Sequence, residues 1–358
     1  MIINLFDLEK KFSLKIPKAI DGYYSSGARD EVTLKRNREI FNNYELLPKL
    51  LRDVSNISTS TKLMGIDIDS PILLAPVAMQ QMAHKDGELA TAKAAKSFNT
   101  IMTHSTISNY GVQDVGPVYD KLFFQLYFSK DRDFTKELLL KCKKNNYKAI
   151  VFTVDAPRLG TREADERNSF KMPSSLQLGN FIGTKFENFD DIEEYEGSSM
   201  AAHSDHLFDP SLTFDVISWI KEISELPVLV KGILRPDDAQ KAISFGADGI
   251  IISNHGGRQL DTAVPTLKQI EPIRNQVGKD ATLIVDGGVR RGTDVLKCIA
   301  LGADVVQIGR PLLWGLNYDG QKGVELVLDL LNKELIETMI LTGCKNIGEI
   351  SRDLVVEK

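Results

Sequence analysis

Cysteine is scarce in this 358-residue chain: Cys142, Cys298 and Cys344 stand far apart, with no metal-binding or redox spacing. That scarcity excludes a disulfide framework and a cysteine-held metal site. It predicts reduced, buried thiols of an intracellular protein. No apolar run reaches the roughly 18 residues of a transmembrane helix, so no membrane span is expected. The opening Met1-Ile-Ile-Asn-Leu-Phe-Asp7 lacks a basic region followed by an apolar stretch, which speaks against a secretory leader. The closing Val355-Val-Glu-Lys358 is not a peroxisomal tripeptide, and the expected location is the cytoplasm. Excess positive charge is missing too. Lys and Arg number 44 against 49 Asp and Glu, a net charge of −5, whereas nucleic-acid binders usually carry a basic face. Neither G-x-G-x-x-G nor G-x-x-x-x-G-K-[ST] occurs, so a Rossmann dinucleotide site and a P-loop are both unexpected. The five histidines show no zincin spacing. His203 and His206 stand three apart in a long loop with no further ligand nearby, and no metal is expected.

What the chain does contain is an internal repeat. Gly232-Ile-Leu-Arg235 through Gly246-Ala-Asp248 can be laid on Gly288-Val-Arg-Arg291 through Gly302-Ala-Asp304. Each copy reads as an apolar strand, a Gly turn, an amphipathic helix ending at glycine, and a second apolar strand. Continuous apolar strands alternating with helices indicate a parallel sheet covered on both faces. Repetition of the unit favours a closed barrel over a single doubly wound sheet. Eight strands can be counted, at residues 72–75, 101–103, 122–126, 149–154, 227–230, 249–252, 282–285 and 305–308. Helical patterns at 88–96, 134–145 and 213–223 fall between them. The expected fold is a single-domain (β/α)8 TIM barrel over residues 1–358. A helical segment to about Tyr44 precedes it, and a helix over 324–341 closes it. A long connection, 157–212, follows strand four. Its acidic stretch Glu187-Asn-Phe-Asp-Asp-Ile-Glu-Glu-Tyr-Glu196 and its position at the C-terminal face of the barrel make it an expected lid.

Barrel chemistry sits at the C-terminal ends of the strands. There the sequence places Gln125 and Tyr127, Thr153 and Asp155, Lys231, then Ser253-Asn-His255 with Arg258 three residues on. A base beside a permanent cation suits proton removal from a substrate that carries a carboxylate. The last two strands lead into Asp286-Gly-Gly288-Val-Arg290 and Gly309-Arg310. Glycine amides and guanidinium forks at these two loops suit a phosphate.

These motifs resemble the FMN-dependent L-2-hydroxy acid oxidases, the family of glycolate oxidase and the flavin-dependent lactate oxidases. The matching segments run nearly end to end. They include Tyr23-Tyr-Ser-Ser-Gly-Ala-Arg-Asp-Glu31, Ala75-Pro-Val-Ala-Met-Gln80, Phe124-Gln-Leu-Tyr127, Thr153-Val-Asp-Ala-Pro-Arg-Leu-Gly-Thr-Arg-Glu163, Ser253-Asn-His-Gly-Gly-Arg-Gln-Leu-Asp261 and Ile308-Gly-Arg-Pro311. The resemblance implies FMN as cofactor. Pro76, Val77 and Ala78 would line one side of its ring, and Ser105, Gln125 and Thr153 would bond the polar edge. Lys231 would sit by the ring's N1 and O2, and Ser253 would add a contact. Asp286, Gly288, Arg290, Gly309 and Arg310 would hold the ribityl phosphate. Arg162 and Arg258 would clamp the substrate carboxylate, with Tyr23 and Tyr127 bonding substrate oxygens. His255 would be the general base, and Asp155 would stabilise its protonated form.

The implied reaction oxidises a 2-hydroxy acid to a 2-oxo acid and reduces O2 to hydrogen peroxide, in a homotetramer. Two alternatives are a dehydrogenase of the same family with another electron acceptor, and a non-catalytic FMN-binding barrel. Two departures bear on the substrate. Glycolate oxidases carry tryptophan where this chain has Ile107, and threonine where it has Val77. Both changes make room for a methyl group, so L-lactate or a somewhat longer acid is expected ahead of glycolate.

Overall fold

The computed structural model describes residues 1–187 and 207–358. Eight parallel strands close into a barrel: β1 (Ile72–Leu74), β2 (Met102–Ser105), β3 (Leu122–Leu126), β4 (Ala149–Thr153), β5 (Val228–Ile233), β6 (Gly249–Ile252), β7 (Thr282–Val285) and β8 (Val305–Ile308). They pair in sequence order, and β8 closes on β1 with Val306 opposite Ile72. The strands are apolar on both sides because one side packs inside the barrel and the other under helices. Inside, Leu73, Phe123, Val151, Leu229, Ile251, Ile284 and Val305 form one cluster. Side chains on a strand repeat their direction every second residue. Moving two residues on from that layer gives Ala75, Gln125, Thr153, Lys231, Ser253, Asp286 and Gln307. The dry interior therefore ends in a polar ring at the C-terminal mouth.

The helices start where the chain supplies caps. Asp131, for instance, accepts from the amides of Asp133 and Phe134 and opens Arg132–Lys144. Gly246 and Gly302 follow helices Pro236–Ser244 and Gly292–Ala300 with φ of +99° and +113°, as the repeat predicts for C-terminal glycines. The three cysteines are free and buried. No helix of the described residues is long and apolar enough to cross a membrane.

Four details depart from the sequence reading. Gly232 is not a turn. β5 runs through it to Ile233 with a register shift, and a Cβ there would lie 2.6 Å from the Cβ of Asp155. The N-terminal segment is three short helices, Leu5–Lys15, Lys18–Ser25 and Val32–Glu39, then a 3-10 turn. Tyr44 itself begins a strand, Tyr44–Leu46, that pairs with Val355–Glu357. A hairpin, Thr61–Leu63 with Ile66–Ile68, plugs the barrel's lower end with Leu63 and Ile68. The closing helix begins at Arg310 and runs to Thr342, broken at Asp319 and Gly320. The long connection is helical at Glu163–Arg167 and rejoins the barrel where Phe208 bridges to Ser129. Most of its acidic stretch, with His203 and His206, lies outside the described residues.

Candidate active site

The expected residues, all but Asp155 and Ser253, line one cleft of about 1210 Å³ at the C-terminal mouth, and those two stand behind it, bonded to His255 and Lys231. His255 stands just past β6 in a left-handed conformation, φ 57°, that β-carbon-bearing residues seldom adopt. Gly256 and Gly257 continue in the same conformation, at φ 63° and 77°. The chain so turns the imidazole back over the mouth, and its backbone amide is held by Ser253 Oγ at 3.0 Å. Nδ1 lies 2.8 Å from Asp155 Oδ1, and Nε2 lies 3.3 Å from the Tyr127 hydroxyl. Burial lowers the His255 pKa and outweighs the pull of the Asp155 carboxylate, so the ring rests neutral. Burial acts to raise Asp155, but His255 and Lys231 prevail and hold its pKa below the ordinary value. Burial also pushes the Tyr127 hydroxyl well up, keeping it protonated. The result is a neutral base whose far nitrogen faces an ionised carboxylate and whose near nitrogen faces the cleft.

Beside this pair stand Arg162 and Arg258, both stacked on the Tyr23 ring with centroid distances of 5.1 and 5.2 Å. Arg162 Nε lies 3.0 Å from Asp165, a buried carboxylate. Arg258 donates to the carbonyls of Tyr24 and Ser26 at 3.2 and 3.1 Å. Burial, then the neighbouring Arg162, lowers the Arg258 pKa to about 10. The site thus holds cationic charge without full compensation, which favours an incoming carboxylate.

The polar ring is a hydrogen-bonded relay. Ser105 Oγ donates to Gln125 Oε1 at 3.0 Å, and Gln125 Nε2 donates to Thr153 Oγ1 at 3.0 Å. Across the mouth, Lys231 Nζ reaches Ser253 Oγ at 2.9 Å, and Ser253 donates to Asp286 at 2.7 Å. Asp286 also lies 3.6 Å from the Lys231 ammonium and accepts from Gln307 at 2.9 Å. Asp286 therefore sits with Lys231 in the ring and not with Arg290 and Arg310. Its fellow Gln307 was missed in the sequence, although a glutamine inside the apolar run Val305-Val-Gln-Ile308 is a signal in itself. Asp165, Leu159 and Phe208 were also missed. Phe208 stacks on Tyr127 at 4.6 Å and lines the cleft with Leu159 and Ile107, a contact no local pattern announces.

The other end of the cleft has the chemistry of a phosphate cradle. Gly288 has φ +84°, and a Cβ there would lie 1.9 Å from the Asn37 carbonyl, so only glycine allows this loop. Gly309 is the uncapped N-cap of helix Arg310–Thr342, whose first amides have no side-chain partner. Arg290 and Arg310 are half-buried, and their guanidiniums donate to backbone carbonyls of Val289, Tyr24, Gly256 and Ser26. Burial lowers their pKa values to about 10 and about 9. Two half-buried cations, a tight glycine loop and a helix N-terminus without a side-chain cap fit a dianionic phosphate. The polar ring and the apolar Val77 and Ala78 fit a flavin ring. No group of three or more His, Cys, Asp or Glu among the described residues could hold a metal.

Fold and site together fit a cofactor-dependent barrel, with loops suited to a phosphate and a histidine paired with a carboxylate at one mouth. The chain belongs to the FMN-dependent dehydrogenase family, whose model matches residues 13–357. It is 44% identical over 357 residues to glycolate oxidase 3 of Oryza sativa subsp. indica, covering 99% of this chain and 96% of that one. It is equally, 44%, identical over 354 residues to an L-lactate oxidase of Nostoc sp., covering 97% and 96%. The structure of mandelate oxidase with (S)-4-hydroxymandelic acid superposes with a TM-score of 0.93 at 36% identity, covering 98% of each chain. Identity alone thus does not divide these substrates.

Proposed function

We propose that this protein oxidises a small L-2-hydroxy acid to the 2-oxo acid with FMN as resident cofactor and O2 as acceptor, giving hydrogen peroxide. L-lactate or a slightly longer acid is preferred over glycolate. The observation that carries the reading is the His255–Asp155 pair, 2.8 Å apart, whose His255 lines the same cleft as Arg162 and Arg258. The two arginines hold the substrate carboxylate between them and fix which face of the α-carbon is presented. Tyr23 packs between them, and Tyr127 donates a hydrogen bond to a substrate oxygen. His255 Nε2 takes the proton of the 2-hydroxyl, and Asp155 stabilises the imidazolium through Nδ1.

On the cofactor side, Pro76, Val77 and Ala78 back the flavin ring. Ser105, Gln125 and Thr153 bond its polar edge, and Lys231 with Ser253 supplies positive charge at the opposite side. Asp286 faces the ribityl hydroxyls. Gly288, Arg290, Gly309 and Arg310 hold the phosphate. FMN, when bound, would supply the acceptor for the α-hydrogen with its electron pair, and that pair with two protons would reduce O2 to hydrogen peroxide.

The preference rests on the apolar wall of Val77, Ile107, Leu159 and Phe208, which offers a methyl group burial and offers no hydrogen bond to a smaller acid. The assembly is a homotetramer. Exposed Leu47, Leu50, Leu51 and Leu341 beside the end of the closing helix support a subunit contact. The location is cytoplasmic, in keeping with three free thiols. The test is kcat/KM for glycolate, L-lactate and L-2-hydroxybutyrate with peroxide as readout. A higher value for glycolate would overturn the preference, and turnover with an artificial acceptor but no peroxide would overturn the oxidase reading.

A further inference from the structure

One buried carboxyl takes no part in the site described above. Glu88 lies in the first turn of helix Gly87–Ser97, yet it is 0% exposed. Its Oε1 accepts from the Gln80 amide at 3.1 Å and the Asn109 amide at 3.2 Å, and its Oε2 is buried with no partner. Gln80 belongs to the loop after β1, which carries Val77 and Ala78. Asn109 belongs to the loop after β2, which carries Ile107. The same two loops meet where the Met79 amide donates to the Ile107 carbonyl at 2.9 Å, and where the Gln81 amide donates to Asn109 Oδ1 at 2.9 Å. Asn109 passes the tie on, donating to the Gln177 carbonyl of the long connection at 3.0 Å. One carboxyl oxygen so closes the joint between the flavin-facing loop and the substrate-facing loop.

We propose that Glu88 is a positioning residue: its carboxylate draws the loops after β1 and β2 together, tightening the wall of Val77, Ala78 and Ile107 when ionised and relaxing it when protonated. Amide bonds to a carboxylate are shorter and stronger than those to a neutral carboxyl. The joint lies directly behind residues that touch both cofactor and substrate, so its tension is felt at the ring. Burial raises the Glu88 pKa to about 7, against the pull of the backbone amides. The groups that face it do not compete in this range. Tyr24, on helix Lys18–Ser25, and Tyr147, on the approach to β4, are both raised well above 10 by burial. His104, on β2 and bonded to Tyr147, is lowered by burial to about 4. The charged neighbours in sequence, Lys85 and Asp86, are exposed. Glu88 is then the buried group whose charge changes behind this wall near neutral pH, while half-exposed His84 on the same loop is directed to Asp86 at 3.8 Å.

The test needs bound FMN and no substrate, so it stands apart from the substrate assignment. The visible spectrum of the FMN-loaded protein is titrated from about pH 6 to about pH 8.5. The unmodified protein should show a one-proton spectral transition near pH 7. Glu88→Gln, whose Oε1 still accepts both amides, should lose that transition. A second readout is thermal stability. The folded pKa lies above the unfolded one, so the folded state holds the proton more tightly, and the unmodified protein should lose stability relative to Glu88→Gln as pH rises through 7. Absence of the transition in the unmodified protein overturns the proposal, whether or not the variant folds. So does a transition that persists unchanged in Glu88→Gln.

Discussion

The substitution Asp155→Asn keeps the shape of the pair and removes its charge. In the unmodified protein the carboxylate oxygen lies 2.8 Å from His255 Nδ1, with both side chains largely covered. Proton uptake at Nε2 creates an imidazolium beside that carboxylate. Taking about 4 Å between charge centres and an effective dielectric of about 20, the pair is worth about 4 kcal/mol, close to a thousandfold in rate. The asparagine side chain supplies at best a neutral acceptor, so most of that stabilisation is lost. Asp155 also raises the His255 pKa against the effect of burial, so the variant's imidazole should become a still weaker base. The assay is the anaerobic rate of flavin bleaching by L-lactate, with retained FMN absorbance as the control for folding. A drop of two to three orders of magnitude is expected. A rate within fivefold of the unmodified protein would refute the role given to the pair.

Arg290→Ala should weaken FMN retention, read by the fraction of cofactor lost on gel filtration, because it removes one of two cations from the phosphate cradle. Undiminished retention would contradict the placement. Ile107→Trp should shift preference toward glycolate. A buried methyl contributes about 0.8 kcal/mol, roughly fourfold in the ratio of kcat/KM values, and an unchanged ratio would show that Ile107 is not the wall. For pH, His255 has its pKa lowered and must be neutral to accept a proton. The kcat/KM for L-lactate should fall as pH drops through the region below 6.5, and His255→Gln should remove that limb along with most of the rate. Arg162→Ala should raise the KM for L-lactate and narrow the preference for the acid over its methyl ester, with Arg258 keeping part of it. An unchanged KM in that variant would move the clamp elsewhere.

The barrel was legible because its signal is redundant. Apolar strands, glycine-ended helices and a duplicated unit all gave the same answer. The strand ends were legible for the same reason, since the period of two carries the interior layer onto Gln125, Thr153, Lys231 and Ser253. Three kinds of feature were not. Short pairings between distant segments, such as Tyr44–Leu46 with Val355–Glu357, have too few residues to leave a local pattern. Gly232 reads as a turn from its neighbours, but its positive φ serves a bulge that clears the Asp155 side chain. The contacts of Asp286 and Phe208 depend on how separate loops meet. Asp286 belongs with the glycine-arginine phosphate loop only by adjacency in sequence, while its direction at the end of β7 sends it to Lys231.

The most direct test of the central claim is one anaerobic mixing experiment. The purified yellow protein is combined with L-lactate while its flavin absorbance is followed, and air is then admitted with peroxide measured. Rapid bleaching that returns with oxygen and yields peroxide is the expected result. A flavin that stays oxidised with L-lactate, glycolate and L-2-hydroxybutyrate alike would contradict it.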